Sequence, residues 1–113
     1  MWLMRTMRNP TREKEVESYL SKEMSRLGLR TYKFIPDQRI GMPDRLVTLP
    51  NGRVIWIEMK TNGGHLSVVQ ELRHRELREQ GQVVEVLWTK KDVDAFSQRM
   101  CGLLGIDSAE SCT

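Results

Sequence analysis

The sequence has few cysteines and no long hydrophobic run, and each shortage excludes a class of protein. Two of its 113 residues are cysteines, Cys101 and Cys112, and neither lies near another Cys or a His at the spacing of a zinc site. This sparse use of cysteine favours a reducing, cytoplasmic environment. The longest apolar run at the N-terminus is four residues, and no run elsewhere approaches the length of a membrane-spanning helix. The sequence therefore predicts neither a secretory leader nor a membrane segment.

Internal repeats, low-complexity segments and interdomain linkers are also absent from the sequence. Hydrophobic residues make up 39% of the chain and charged residues 29%, which is typical of one soluble domain, predicted here over 1–104 with a flexible tail at 105–113. The net charge is +3, but residues 1–50 carry ten Lys and Arg against six acids, while residues 51–113 carry eight against nine. This bias permits a polyanionic partner such as nucleic acid and does not by itself identify one.

Apolar periodicity and turn signals predict seven elements in the order αβββαβα. Asn9 and Pro10 are typical of a helix start, and Gly28 is placed to end that helix. The sequence Pro50-Asn51-Gly52 predicts a type I turn that closes a β-hairpin. The expected fold class is α/β, a sandwich in which helices flank a central mixed four-stranded sheet. The predicted bounds are a helix at 10–27, strands at 31–35, 45–49 and 53–60, a helix between Ser67 and Gly81, a strand at 83–88 buried on both faces, and a helix after Thr89.

The predicted hairpin brings two acidic residues together. With a three-residue loop, Leu49 faces Arg53, and the same register sets Asp44 opposite Glu58. Directly opposed Cβ atoms lie about 4.5–5.5 Å apart, so two like charges destabilise the pair unless a positive charge lies between them. Lys60 projects from the same face as Glu58, because side chains two residues apart on a strand point the same way.

Each of these residues also has an ordinary structural explanation. Asp44 could be a turn residue at the start of a strand, and Glu58 and Lys60 could lie on a solvated edge. The run at 54–57 before Glu58, however, is apolar on both faces and predicts the interior of a sheet, where an unpaired carboxylate is costly. A hard divalent cation such as Mg²⁺ or Mn²⁺, which prefers oxygen ligands, explains the acidic pair better.

The acidic hairpin is part of a longer motif. Gly41-Met42-Pro43-Asp44 is followed after thirteen residues by Glu58-Met59-Lys60, and then by Gly63, Gly64, Leu66, Ser67 and Gln70. This pattern resembles the PD-(D/E)XK nucleases, and specifically the VRR-NUC family, over about residues 13–94. The resemblance implies a restriction-endonuclease-like αβββαβ core that hydrolyses phosphodiester bonds in DNA.

The resemblance also implies roles for residues of the motif. Asp44, Glu58 and the backbone carbonyl of Met59 are expected to bind Mg²⁺ or Mn²⁺. Lys60 is expected to orient or polarise the attacking water, and Gln70 to hold water or a phosphate oxygen.

A glutamate on the first helix is implied as well, to bind the metal directly or through water. Glu17 fits best, because its neighbours form the apolar face that must dock on the sheet. Glu13 lies four residues earlier on the same helical face and remains the alternative, with a separate explanation as a favourable charge in the first turn.

Basic residues near the motif are candidates for contacts to DNA phosphates. Such contacts are independent of base sequence and depend strongly on salt. His74 lies one helical turn beyond Gln70 and could contact a phosphate, although an ordinary surface histidine is the simpler interpretation. The basic candidates are Arg39, Arg45, Lys33, Arg12 and Lys14.

A domain of this size leaves no separate module to select the substrate. A homodimer with two active sites would suit symmetric branched DNA such as a Holliday junction. A nuclease on flaps, nicks or single strands and a non-catalytic DNA-binding or assembly module remain the alternatives. The stand-alone domain resembles viral members of the family, which implies a phage, plasmid or prophage protein in a bacterial cytoplasm. Two apolar clusters are candidates for the interface: Trp2, Leu3, Met4 and Met7, or Phe96, Met100, Leu103 and Leu104.

Overall fold

The fold is that of a computed structural model. The structure describes residues 10–34, 41–60 and 64–105. All the predicted elements are present in the predicted order, and their ends differ from the predicted ones by at most two residues. The predicted tail beyond Gly105, Arg39, Gly63 and the N-terminal apolar cluster lie outside the described residues. The elements are α1 (Pro10–Arg26), β1 (Arg30–Lys33), β2 (Arg45–Thr48), a 3₁₀ turn (Pro50–Gly52), β3 (Val54–Met59), α2 (Val68–Glu79), β4 (Val83–Leu87) and α3 (Lys90–Leu104).

The four strands form one mixed sheet in the order β1-β2-β3-β4. The pairs β1–β2 and β2–β3 are antiparallel, whereas β4 runs parallel to β3. A parallel pair needs a crossover connection, and α2 supplies it between β3 and β4. The predicted α/β fold with a mixed four-stranded sheet is therefore confirmed.

The hairpin of β2 and β3 has the predicted register. Arg45 pairs with Ile57, and the backbone N–H of Leu49 donates to the carbonyl of Arg53 at 2.8 Å to close the loop. The predicted type I turn is wrong, because Asn51 has φ 70° and ψ 22°, in the left-handed region. Asparagine tolerates this conformation better than most residues, so the turn differs while the register stays the same.

The hydrophobic core lies between the sheet and the two helices α1 and α3. At the start of β4, Val83 is 47% exposed, and beside it a cavity of about 850 Å³ opens between β3, β4 and the C-terminal half of α3. The predicted burial of β4 on both faces is therefore wrong at this residue. Core residues include Leu20, Met24, Ile55, Ile57, Met59, Val93, Phe96 and Cys101.

Candidate active site

Asp44 lies directly before β2, where the chain enters the sheet. Its backbone carbonyl accepts a hydrogen bond from the N–H of Phe34 at 2.7 Å, so its backbone continues the pairing of β1 with β2. Its side-chain Oδ1 accepts from the backbone N–H of Met59 at 3.4 Å. Continuing the observed β2–β3 register by one residue sets Asp44 opposite Glu58.

Burial raises the pKa of the Asp44 carboxyl group above its ordinary value. The N–H of Met59 and the charge of Arg45 lower this pKa, while the charge of Glu17 raises it further. The loss of water is the largest of these effects, and contacts within the chain do not compensate for it. A cation beside Asp44 would therefore stabilise its ionised form.

Glu58, near the end of β3, is only 4% exposed. Its neighbours Ile57 and Met59 belong to the hydrophobic core, so the alternation of a strand directs Glu58 to the opposite face. On that face its Oε1 lies 3.4 Å from Nε2 of His74 in α2. Because opposed residues of paired strands project from the same face, Asp44 and Glu58 share this side of the sheet.

His74 is 1% exposed, so its interpretation as an ordinary surface histidine is wrong. Burial lowers the pKa of its imidazole, and the positive charges of Arg78 and Lys60 lower it further. Lys60 follows β3 directly, and its backbone N–H extends the pairing with β4 by donating to the carbonyl of Leu87 at 3.0 Å. Its charge thus lies close enough to His74 to act on the pKa of the imidazole.

Glu17 of α1 forms an ion pair with Arg45, the first residue of β2. Arg45 Nη2 donates to Glu17 Oε1 at 2.8 Å, and both side chains are largely buried. Since both charges act on the pKa of Asp44, the pair lies close to the acidic hairpin. Glu13, the alternative carboxylate, lies one turn earlier in the first turn of α1.

The start of α2 is fixed by a capping box. Ser67 Oγ accepts from the backbone N–H of Gln70 at 3.1 Å, and Gln70 Oε1 accepts from the backbone N–H of Ser67 at 2.9 Å. This first turn packs against the loop that leads to Asp44. Gly41 in that loop has φ +87°, and a Cβ atom there would lie 2.6 Å from the carbonyl oxygen of Val69. The glycine of the motif therefore allows the loop and α2 to approach closely.

The basic candidates are distributed over the surface near α1 and β1. Lys14, Glu17 and Arg45 line one shallow cavity of about 450 Å³. Arg12 and Lys33 are exposed, and Arg39 lies outside the described residues. The structure thus brings Lys14 close to the ion pair but does not gather all the basic candidates into one patch within the described ranges.

Sequence analysis missed two features of this region: the burial of His74 and the ion pair of Glu17 with Arg45. A signal existed for each. Arg45 is two residues from the core residue Val47 on the same strand, which directs its side chain into the protein rather than to DNA. His74 and Leu77 are three residues apart and share a helical face, which is the spacing of a face that packs on a sheet.

The donor atoms fit a hard cation with open coordination positions. Across 10–34, 41–60 and 64–105, no group of three or more His, Cys, Asp or Glu side chains is arranged to hold a metal ion. Two carboxylates and a backbone carbonyl nevertheless suit Mg²⁺, which commonly takes one or two carboxylates and fills its other positions with water and substrate phosphate. The raised pKa of the half-buried Asp44 is a second reason to expect a cation here. No described helix has the length and apolar character needed to cross a membrane.

Comparison with known proteins finds relatives of this chain in sequence and in structure, and three of them are described here. A protein named "Putative nuclease p44" from Acyrthosiphon pisum secondary endosymbiont phage 1 is 41% identical over 76 residues, which cover 67% of this chain and 82% of that protein. A solved structure described as a VRR_NUC domain is 30% identical with a TM-score of 0.71, and the match covers 77% of this chain and 95% of that one. A second, described as a VRR_NUC domain protein, is 18% identical with a TM-score of 0.67 over 80% and 88% of the two chains, and supports likeness of fold alone. No family model matches the sequence.

Proposed function

This chain belongs to the VRR-NUC family of nucleases, and we propose that it is a Mg²⁺- or Mn²⁺-dependent endonuclease that hydrolyses phosphodiester bonds in branched DNA. The observation that carries the proposal is the grouping of Asp44, Glu58 and Lys60 at one end of β3, on one face of the sheet. A buried carboxylate and a half-buried one, with Lys60 two residues beyond Glu58, suit phosphoryl transfer, in which negative charge must be stabilised and a water must be oriented.

Asp44, Glu58 and the backbone carbonyl of Met59 would hold the metal ion through oxygen atoms. When bound, Mg²⁺ or Mn²⁺ supplies positive charge that stabilises the reacting phosphate and lowers the pKa of water. Glu17 is proposed to join these ligands directly or through water. Because Glu17 Oε1 accepts a hydrogen bond from Arg45, Glu17 could bind the metal only through its second oxygen or after this hydrogen bond is broken.

Lys60 would orient the attacking water and balance the charge of the two carboxylates. Gln70 can combine its structural and catalytic roles, because the capping box uses its side-chain oxygen. The amide NH₂ group of Gln70 is then the part that donates to a water or a phosphate oxygen.

Contacts to the DNA backbone would come from basic side chains outside the acidic group. Lys14 is the best-placed candidate, because it lines the same shallow cavity as Glu17 and Arg45. Arg12 and Lys33 are exposed and would add charge attraction. Binding of this kind holds the duplex without recognising its base sequence.

A homodimer on a four-way junction is the proposed assembly, because a twofold pair of active sites matches two equivalent strands. Of the α3 residues considered for the interface, Phe96 and Met100 are part of the core, whereas Leu103 is 57% exposed. Leu103 borders the cavity beside Val83, so this apolar region is the proposed contact with a second copy.

A cleavage panel tests the activity and the substrate together. An immobile four-way junction, a flap and a linear duplex, each labelled at a 5′ end, are incubated with the protein in Mg²⁺ and in EDTA. We expect the junction to be nicked fastest in Mg²⁺ and no product in EDTA. Glu58→Ala should lose about 100-fold or more of the activity, because a residue that stabilises charge at the reacting phosphate is removed.

The matched control is Glu79→Ala, which removes an exposed acid of α2 and should cleave like the wild type. Faster cleavage of flaps or single strands than of junctions would contradict the proposed preference for branched DNA. It would favour the alternative, a nuclease that acts on flaps, nicks or single strands. Binding to DNA without cleavage of any substrate would contradict an enzymatic function and favour a non-catalytic module.

A further inference from the structure

We propose that His74 is a positioning residue that holds the Glu58 carboxylate in the orientation needed for metal binding. The inference rests on the proposed metal-dependent function and adds a residue outside the nuclease motif. Its basis is the buried contact between α2 and β3, where Nε2 of His74 lies 3.4 Å from Oε1 of Glu58. The two side chains are 1% and 5% exposed.

Packing alone does not explain a histidine at this position. Among the described residues of α2, His74 is the one that is fully buried. Neither of its ring nitrogens forms a hydrogen bond within the part of the chain that the structure covers. Buried polar groups without a hydrogen-bond partner reduce the stability of the fold, so an apolar side chain would fill the same space more favourably. A polar ring here is better explained by its contact with Glu58.

The two atoms are close enough for a hydrogen bond, but the N–H is not directed well enough to form one. At a separation of 3.4 Å, a small change in the orientation of the ring would let Nε2–H donate to Oε1. Hydrogen bonds in catalytic sites are often long before the site is loaded and shorten afterwards. A donor on one oxygen would fix the orientation of the carboxylate and leave its second oxygen for the metal ion.

Two other roles for His74 fit the structure less well. Direct contact with a DNA phosphate requires an accessible ring, and His74 is almost completely buried. Direct binding of Mg²⁺ by an imidazole is disfavoured, because this ion prefers oxygen ligands. Among the described residues, Glu58 is the one acidic residue within 4 Å of the His74 ring, so His74 is expected to act through Glu58.

Replacement of His74 by Phe, Leu and Gln tests the proposal with Mn²⁺ as the probe. Titration calorimetry of the DNA-free protein measures Mn²⁺ affinity, and melting in EDTA measures the stability of the metal-free fold. We expect His74→Phe and His74→Leu to weaken Mn²⁺ binding by about 10- to 100-fold. His74→Gln should retain most of the affinity, because its amide N–H can replace the ring donor. In a nuclease assay, the loss in the apolar variants should be recovered at higher Mn²⁺ concentration.

The matched control is Phe96→Leu, a core substitution on the opposite face of the sheet. It should lower the melting temperature and leave Mn²⁺ affinity unchanged. Wild-type affinity in a folded His74→Phe or His74→Leu protein would overturn the positioning role while leaving the proposed nuclease intact. Absence of Mn²⁺ binding and of cleavage in the wild type would instead overturn both proposals.

Discussion

Asp44 and His74 are both titratable, and burial shifts the pKa of each toward the neutral form. The pKa of Asp44 is raised and that of His74 is lowered for one reason, since removal of water disfavours the charged state. The raised pKa of Asp44 reduces the stability of the fold at neutral pH, whereas the lowered pKa of His74 reduces it at acidic pH, where the unfolded chain binds a proton at this residue. Groups with shifted pKa values are common in catalytic sites. At the residue scale, the candidate site is therefore a region where function opposes stability.

Asp44→Asn should make the metal-free protein more stable at neutral pH. A carboxyl group whose pKa is raised by folding favours the folded state at low pH, and this contribution is lost as the pH rises through the raised pKa. Asparagine keeps an acceptor for the N–H of Met59 and carries no charge. Melting in EDTA should show a gain of a few degrees at pH 7 that shrinks as the pH falls toward the ordinary pKa of Asp.

Glu79→Gln is the control for this measurement, because it removes an exposed charge from α2. Its melting temperature should follow the wild type at each pH, within the small effect of a surface charge. A variant Asp44→Asn that is less stable than the wild type at pH 7 would contradict the destabilising role of the Asp44 carboxylate.

At the scale of elements, the loop before β2 and the first turn of α2 act as one unit. The loop ends at Asp44 and the turn carries Gln70, although the two are far apart in sequence. Their contact depends on Gly41, which combines a left-handed backbone with a close approach to the carbonyl of Val69. Displacement of either element should therefore alter the position of the other.

Gly41→Ala should lower both stability and cleavage. A Cβ atom at this position meets the backbone of α2, which cannot move aside as a flexible side chain could. Gly28→Ala is the matched control, because Gly28 has a similar φ of +81° but nothing within 4 Å of the added atom. Gly28→Ala should cost about 1–2 kcal/mol for the left-handed conformation alone and keep its activity per folded molecule. Chemical unfolding and junction cleavage compare the two variants.

Equal activity per folded molecule in the two alanine variants would show that the close approach at Gly41 does not organise the site. Equal loss of stability in the two variants would show that the left-handed backbone conformation, rather than the contact with Val69, determines the stability lost in Gly41→Ala.

The elements and the hairpin register were predictable from sequence because they depend on local signals. Caps at Ser67 and Thr89, and a loop of fixed length after Leu49, determine where elements begin and how two strands align. Burial of His74 was not predictable in this way, since it depends on which face of α2 packs on the sheet. The ion pair of Glu17 with Arg45 depends likewise on how α1 lies across β2, a contact between residues 28 apart in sequence.

At the scale of the whole molecule, the acidic residues Asp44 and Glu58 lie at one end of β3, and the exposed apolar region around Val83 and Leu103 lies at the other end. Glu58 is near one end, while Val54 at the other end lines the cavity next to Leu103. A second copy could cover the apolar end and leave both acidic groups open to DNA. This arrangement supports the proposed homodimer and the location of its interface.

Leu103→Glu should convert the dimer into a monomer without unfolding it. The side chain is 57% exposed, so a charge there is tolerated in the monomer but not in an apolar interface. Light scattering at micromolar concentration should give twice the chain mass for the wild type and the single mass for the variant. Leu72→Glu, which changes an exposed leucine of α2, is the control and should remain dimeric. A monomeric wild type would contradict the proposed assembly.

Cleavage of the four-way junction by Asp44→Ala in Mg²⁺ tests the proposed mechanism most directly. Asp44 is the half-buried acid that the register sets opposite Glu58, and its removal takes away one of two carboxylates proposed to hold the metal ion. We predict loss of nicking in a protein that remains folded and still binds the junction. Wild-type rates of nicking by Asp44→Ala would contradict the mechanism.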